Sequence, residues 1–332
     1  MRLITAPGVP SSPARVDLPA REALRVGAVQ HRWHDSPDDL LAELDEGIAL
    51  AAREGARVVF LPELTLSRYP AFVRGGDDPG AGAEDLRDGP TVRFATEAAG
   101  KHGVLVHASL YERDGASLHE SYGDGLGFNT AVLAGPDGLI TYTRKLHIPV
   151  TEGYYEDTYF RGGPVGADPT GRQAYPVHTV DALDGARIGM PTCWDEWFPE
   201  VARMYSLAGA EVIVYPTAIG SEPGHPDFDT QPLWQQVIVG NGIANGTFMI
   251  APNRHGDEGA ITFYGSSFIS DPYGRILVQA PRDESAVLVA DLDLDQRRDW
   301  LTLFPFLATR RPDTYGRLTE PVDPSHPLGG SN

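Results

Sequence analysis

Short apolar runs alternate with segments of helical periodicity along most of this 332-residue chain. The run at 24 to 30 is followed by Ser-Pro-Asp-Asp at 36 to 39, which supplies an N-cap, a proline in the first turn and early acidic residues. Apolar residues then recur at three- and four-residue steps from 40 to 51, and 58 to 61 is apolar again. This order predicts a strand, a helix and a second strand.

The rest of the chain repeats the alternation. It predicts helices near 92–100, 199–207 and 232–244 and after 293, and strands at 103–111, 128–135, 139–144, 187–191, 211–215, 247–251, 261–270, 275–279 and 286–291. The Gly-Pro-Asp-Gly sequence at 135 to 138 has the composition of a hairpin turn. Crossovers mixed with hairpins predict an α/β protein with one large mixed sheet or two sheets.

The two ends of the chain lack periodicity. Residues 1 to 23 are rich in Pro, Ala, Arg and Ser, which predicts a flexible leader. Residues 24 to 303 are expected to form one continuous domain. Residues 304 to 332 are rich in proline and aromatic residues, and we expect this tail to pack at an interface between copies of the chain.

Composition limits the partners. The formal net charge of −19 is spread over short stretches without a basic cluster, so no nucleic acid partner is expected. No segment has the roughly 18 apolar residues that span a bilayer, which predicts a cytoplasmic protein without a membrane partner. The single cysteine excludes an intrachain disulfide, and the ten histidines show no metal-ligand spacing such as H-E-x-x-H, so we expect neither a metal nor another cofactor.

Three reactive side chains stand just after predicted strands: Glu63, Lys145 and Cys193. Ligands of α/β sheets bind in the crevice beyond the strand ends, so we expect these side chains to converge. Each also has an ordinary explanation, because a lone cysteine is more often an inert buried side chain and a charged residue at a strand end is usually solvated.

A carbonyl-attacking thiol would use all three residues. A nearby cation such as Lys145, or the helix that follows Cys193, would lower the pKa of the thiol towards the thiolate form. Glu63 would take the thiol proton and return it to a leaving amine. Lys145 and the backbone N–H of Trp194 would hold the developing oxyanion.

Three sequence blocks carry a family resemblance. FLPEL around Glu63, TRKLHIP around Lys145 and CWDEWFPE around Cys193 resemble, in order, the signature blocks of the nitrilase superfamily. The resemblance covers roughly residues 24 to 317. It implies a Glu-Lys-Cys triad on a four-layer α-β-β-α sandwich with mixed sheets, and a homo-oligomer. An E-x-x-Y-F block in this superfamily carries a second glutamate that holds the lysine and substrate, which implies this role for Glu156, although a loop carboxylate with ordinary hydrogen bonds is the alternative.

Further stretches, including GYYEDTYF, YPTAIGSEP and RRPDTY, resemble the N-carbamoylputrescine amidase branch of the superfamily. That resemblance implies a cofactor-free enzyme that hydrolyses a ureido group on a small carbamoylated amine or amide and releases amine, ammonia and carbon dioxide.

The residues after Cys193 bear on the substrate. Relatives that act on N-carbamoyl amino acids commonly have arginine there, whereas this chain has Asp195 and Glu196. We therefore expect Glu196 and Glu222 to pair with the distal ammonium of a carbamoylated amine, and the alternative for each is an ordinary surface acid. The alternatives are hydrolysis of N-carbamoyl amino acids, as in β-ureidopropionase, or of aliphatic amides; a metal hydrolase and a non-catalytic binding protein are less favoured.

Overall fold

A computed structural model of the chain describes residues 1–115, 122–163 and 174–330. Within these ranges there are five α-helices, namely α1 (Pro37–Arg53), α2 (Pro90–His102), α3 (Pro199–Leu207), α4 (Gln231–Asn245) and α5 (Asp295–Leu303). The strands of the first large sheet are β1 (Arg2–Thr5), β2 (Leu24–Gln30), β3 (Val58–Phe60), β4 (Leu105–Glu112), β5 (Phe128–Gly135), β6 (Gly138–Arg144) and β17 (Ala286–Leu292). Those of the second are β9 (Val177–Val180), β10 (Ala186–Gly189), β11 (Val212–Val214), β12 (Phe248–Ala251), β15 (Phe268–Ser270) and β16 (Ile276–Gln279). Two small hairpins pair β7 (Val150–Thr151) with β8 (Tyr154–Tyr155), and β13 (His255–Asp257) with β14 (Thr262–Tyr264).

The first sheet has the order β1-β17-β2-β3-β4-β5-β6. Its centre, β2, β3 and β4, is parallel, while β17, β5 and β6 add antiparallel pairings. The predicted helix α1 provides the first crossover, and the Ser36 hydroxyl accepts the Asp39 N–H at its start. The predicted hairpin joins β5 to β6.

The second sheet has the order β16-β15-β12-β11-β10-β9. Again the centre is parallel, since β10, β11 and β12 run in one direction, and the outer pairings are antiparallel. The helices α3 and α4 form the crossovers between these parallel strands. Each sheet therefore presents the carboxyl ends of parallel strands at one edge, where the candidate site residues follow them.

The two sheets pack face to face. Alternate residues of β17 show the arrangement, because Ala286 and Leu288 lie in the core between the sheets while Val287 and Val289 pack towards α1 and α2. The helices α3 and α4 cover the outer face of the second sheet. The four-layer α-β-β-α sandwich implied by the family resemblance is therefore confirmed.

The first 23 residues contact the rest of the fold. Residues 2 to 5 form the edge strand β1, which pairs in parallel with β17. Further along, Arg15 forms ion pairs with Asp293 and Asp299, and Nη2 of Arg21 lies 2.6 Å from Glu211 Oε1. Local periodicity does not report such contacts between residues distant in sequence, and the flexible leader stays a prediction.

The predicted continuous strand at 261–270 is wrong. Gly265 and Ser266 both have left-handed backbone conformations, with φ of 55° and 60°. The chain turns at these residues, so β14 pairs with β13 in a small hairpin while β15 joins the second large sheet. Apolar residues lie on both sides of this short Gly-Ser-Ser turn, which explains why the two strands were predicted as one.

No helix in the described ranges combines the length and apolarity that crossing a bilayer requires. The tail from 304 to 330 lies mostly exposed on this single chain. Its packing against another copy, the homo-oligomer and the cytoplasmic location stay predictions.

Candidate active site

The structure brings together the side chains of Glu63, Lys145 and Glu156. Lys145 Nζ lies 3.0 Å from Glu63 Oε1 and 2.7 Å from Glu156 Oε2. Glu63 follows β3 and Lys145 follows β6 in the first sheet, and Glu156 begins a 3-10 helix, Glu156–Thr158, after β8. All three residues are buried, with at most 1% of their surface exposed. Ion pairs in such a site are shielded from water and fix the geometry of the three groups.

The carboxylate of Glu63 has two further donors. Asn129 Nδ2 donates to Oε1 at 2.7 Å, and the backbone N–H of Ala218 donates to Oε2 at 2.9 Å. Asn129 lies in β5 and Ala218 follows β11, so both sheets hold this carboxylate. Neither donor was predicted from the sequence, although a polar asparagine inside the apolar run of β5 is a signal of such a buried hydrogen bond.

Glu156 has a perturbed ionisation. Burial raises the pKa of its carboxyl to about 7, although the positive charge of Lys145 opposes the shift. Tyr69 Oη donates a hydrogen bond of 2.9 Å to Glu156 Oε1 and was also missed from the sequence. A carboxyl that titrates near neutrality beside a buried lysine is typical of a functional site.

Lys145 stays protonated in this arrangement. Burial alone would lower its pKa, but the negative charges of Glu156 and Glu63 outweigh burial and raise the pKa well above its ordinary value. Lys145 therefore offers a fixed positive charge and N–H donors rather than a base.

Cys193 follows β10 and begins the 3-10 helix Cys193–Trp197. Its φ of 40° is unusual for a residue with a side chain, and its N–H donates to Pro216 O at 3.0 Å. Such a strained, over-determined backbone is found at functional turns. Trp194 lies in the first turn of this helix, where a backbone N–H has no acceptor within the helix.

The pKa of the Cys193 thiol differs from the expectation. Burial raises it well above its ordinary value and the negative charge of Glu63 raises it further, while the positive charge of Lys145 lowers it only in part. The residue is 6% exposed. The resting group is therefore a thiol, and its attack requires removal of the proton as the reaction proceeds.

Asp195 joins the Cys193 turn to the Lys145 segment. Its carboxylate accepts the N–H groups of Thr192 and His147 at 3.1 and 2.9 Å, and the His147 ring Nδ1 lies 2.7 Å away. Leu146 N–H also donates, at 3.3 Å. Both oxygens of Asp195 are thus used in joining the Cys193 turn to the Lys145 segment, and they are not left for a ligand.

Glu196 lies close to Cys193 but is completely buried. Neither carboxylate oxygen has a hydrogen-bond partner among the described residues. Burial raises the pKa of Glu196 well above its ordinary value. The buried site therefore favours the neutral form of this carboxyl.

Glu222 has a different setting, because it is partly exposed. Thr230 Oγ1 donates to its Oε1 at 3.2 Å, and its charge acts on the Tyr154 hydroxyl. Beside it is a cavity of about 260 Å³ whose lining includes Thr230 and Tyr264. An ionised Cys193 would raise the pKa of the Tyr154 and Tyr264 hydroxyls, so both side chains lie in the neighbourhood of this residue.

In the described ranges no group of three or more His, Cys, Asp or Glu is arranged to hold a metal ion. The site is instead a buried lysine between two carboxylates, next to a thiol on a strained turn. Such an arrangement can attack a carbonyl carbon, hold an oxyanion and transfer protons.

Comparison with known sequences matches the carbon-nitrogen hydrolase family model over residues 25–301. The citrullinase of Francisella tularensis subsp. tularensis is 34% identical over 303 residues, which cover 89% of this chain and 98% of that protein. The N-carbamoylputrescine amidase of Arabidopsis thaliana is 32% identical over 304 residues, covering 89% of this chain and 95% of that protein.

Solved structures give the same result. A carbon-nitrogen hydrolase from Helicobacter pylori G27 is 30% identical, with a TM-score of 0.76 over 90% of this chain and 99% of that one. An amidase of the nitrilase superfamily from Nesterenkonia AN1 is 21% identical, with a TM-score of 0.64 over 91% of this chain and 100% of that one, and supports the fold alone.

Proposed function

The chain belongs to the carbon-nitrogen hydrolase family, as its three motifs predicted, and we propose that it hydrolyses the terminal ureido group of a small carbamoylated amine such as N-carbamoylputrescine. The observation that carries the proposal is the buried Lys145, held between Glu63 and Glu156 and acting electrostatically on the Cys193 thiol.

Attack on the carbamoyl carbon begins with proton transfer. Because burial keeps Cys193 as a thiol, Glu63 takes its proton while the sulfur bonds to carbon. The carbonyl oxygen becomes an oxyanion, and the Lys145 ammonium and the Trp194 backbone N–H stabilise it. Oriented donors of this kind contribute about 3 to 4 kcal/mol each in comparable acyl-transfer sites.

Collapse of the tetrahedral intermediate breaks a carbon-nitrogen bond. Glu63 returns the proton to the leaving nitrogen, and a thioester-type intermediate remains on Cys193. Water then attacks this carbon and gives a proton to Glu63, the carbon-sulfur bond breaks, and Glu63 passes the proton to the sulfur, which restores the thiol. The released carbamic acid breaks its remaining carbon-nitrogen bond on losing carbon dioxide, so one ureido group and one water yield the amine, ammonia and carbon dioxide. Glu156 keeps Lys145 in place throughout.

Recognition of the distal end of the substrate is assigned to Glu222. It is partly exposed, whereas Glu196 has no exposed surface with which to meet a ligand. Citrulline and N-carbamoylputrescine share a ureido group and a distal ammonium, and citrulline has a carboxylate in addition. Asp227 and Asp229 line the cavity that also contains Thr230, the hydrogen-bond partner of Glu222, and Arg282 in this cavity is paired with Asp229. This acidic environment favours the amine without a carboxylate.

A substrate panel tests the proposal. Ammonia release is measured with N-carbamoylputrescine, citrulline, N-carbamoyl-β-alanine and simple aliphatic amides, with Cys193→Ala as the control for contaminating activity. We expect the largest kcat/KM for N-carbamoylputrescine and no release by the variant. A preference for N-carbamoyl-β-alanine or for a simple amide would reject the assigned substrate class.

A further inference from the structure

Arg254 contacts the backbone that carries Glu63. This arginine follows β12 and is completely buried. Its Nη2 donates to three carbonyl oxygens, those of Glu63 at 2.7 Å, Leu64 at 3.0 Å and Ser67 at 3.1 Å. These three carbonyls belong to the turn immediately after β3, so one guanidinium group spans the whole turn.

The turn is strained at the residue next to Glu63. Leu64 has a φ of 48°, a left-handed conformation that a leucine rarely adopts. Such a conformation persists only where its surroundings over-determine it. Here Arg254 holds the carbonyls on one side, while Ser109 Oγ accepts the Leu64 N–H at 3.1 Å on the other.

The same arginine is connected to the second carboxylate of the site. Arg254 Nη1 lies 2.8 Å from Glu258 Oε1, and Glu258 is itself buried. The other oxygen of Glu258 accepts the Tyr69 N–H at 3.1 Å, and Tyr69 Oη donates to Glu156. The network therefore reaches Glu63 through its backbone and Glu156 through Tyr69, which are the two groups that hold Lys145.

We propose that Arg254 is a positioning residue for catalysis. Through the strained turn it fixes Glu63 at the correct distance from the Cys193 thiol, and through Glu258 and Tyr69 it fixes the position of Glu156. The inference rests on the proposed role of Glu63 as the base. A planar guanidinium with several donors can serve the three carbonyls and Glu258 together, whereas a lysine ammonium is too compact to do so.

The chain offers a matched control. Arg297 is also buried and donates to the carbonyl oxygens of Ser206, Asn245 and Gly246. These acceptors lie at the carboxyl ends of α3 and α4, just before β11 and β12 begin. They are therefore at the opposite end of the second sheet from Cys193, which follows the carboxyl end of β10. Arg297→Lys therefore makes the same chemical change in a carbonyl-binding arginine without touching the site.

The experiment compares Arg254→Lys with Arg297→Lys in the full chain. Measurements are urea unfolding, kcat and KM on N-carbamoylputrescine, and the rate of Cys193 alkylation by iodoacetamide. We expect kcat of Arg254→Lys to fall about 100-fold with KM unchanged, because small displacements of a catalytic group have effects of this size. Alkylation should slow as well, since Glu63 would be misplaced for taking the thiol proton. Arg297→Lys should lose stability while keeping kcat.

Equal kcat values for the two variants at equal loss of stability would overturn the proposal. A higher KM of Arg254→Lys with wild-type kcat would also overturn it. If Arg254→Lys does not fold, Glu258→Gln is measured in its place, because this variant removes the charged partner of Arg254. A folded Glu258→Gln enzyme with wild-type kcat and alkylation rate overturns the inference, and a lower kcat at unchanged KM supports it. Glu63→Gln distinguishes a failure of the proposed function from a failure of the role of Arg254. If Glu63→Gln stays active, the proposed function fails. If it is inactive while Arg254→Lys and Glu258→Gln are both active, only the role of Arg254 fails.

Discussion

Glu196→Gln should stabilise the protein, and increasingly so as the pH rises. In the unfolded chain this carboxyl ionises near its ordinary value of 4.5, whereas in the folded chain burial keeps it protonated to a higher pH. Between these two values the folded state binds one more proton than the unfolded state, so the free energy of unfolding falls as the pH increases. Glutamine has nearly the same shape and cannot ionise, so the variant escapes this loss.

The magnitude follows from the linkage relation. Each pH unit between the unfolded and folded pKa values costs the wild type about 1.4 kcal/mol. The difference in unfolding free energy between variant and wild type should be close to zero below pH 4.5 and should then grow by about this amount for each pH unit, until the folded carboxyl ionises. Each such increment is a sizeable part of the about 5 to 15 kcal/mol that stabilises most proteins.

Urea unfolding of both proteins from pH 4.5 to 7.5 measures this difference. The other titrating groups are the same in both proteins, so their contributions to the unfolding free energy cancel. Glu200→Gln removes an exposed acid from α3 and controls for the loss of one charge. A difference that stays at zero, or in which the variant becomes less stable as pH rises, would refute a neutral buried Glu196. The ratio of kcat/KM on N-carbamoylputrescine and N-carbamoyl-β-alanine should be unchanged, and a reversed ratio would return Glu196 to substrate recognition.

Three other predictions concern the site. Glu222→Gln should lower kcat/KM for N-carbamoylputrescine about 10- to 100-fold, because a hydrogen bond to a charged group contributes about 1.5 to 3 kcal/mol, and it should leave simple amides unaffected; an equal loss on both would argue against ammonium recognition. The pH profile of kcat/KM should contain an ionisation near pH 7, with Glu156 neutral below it and charged above it, and this ionisation should disappear in Glu156→Gln. Asp195→Asn places an amide NH₂ against several N–H donors, so kcat and the unfolding free energy should both fall. A wild-type kcat in this variant would show that the connection to the Lys145 segment is dispensable.

The sequence was sufficient to predict most of the buried strands and the positions of the catalytic candidates. Apolar runs predict β2, β5 and β6 closely, because these strands are buried and their ends carry turn residues or polar groups. Glu63, Lys145 and Cys193 were identified because each follows such a run. The convergence of the first two follows from strand order in the first sheet, which only the structure supplies.

Contacts between residues distant in sequence account for what was missed. Asn129, Tyr69 and Arg254 act on Glu63 or Glu156 through bonds that join separate elements, and no local pattern reports them. The edge strand β1 depends on β17 in the same way. Glu196 was treated as a charged group because a sequence does not state how deeply a residue after a strand is buried.

The central claim is that Cys193 forms a covalent intermediate with the substrate carbon and that Glu63 is the base. The most direct measurement is the intact mass of the enzyme, followed by peptide mapping, after rapid acid quenching during turnover of N-carbamoylputrescine. The account predicts an adduct on the peptide that contains Cys193, with no adduct in Cys193→Ala and a much slower appearance in Glu63→Gln. Turnover by Cys193→Ala, or an adduct located on another residue, would contradict it.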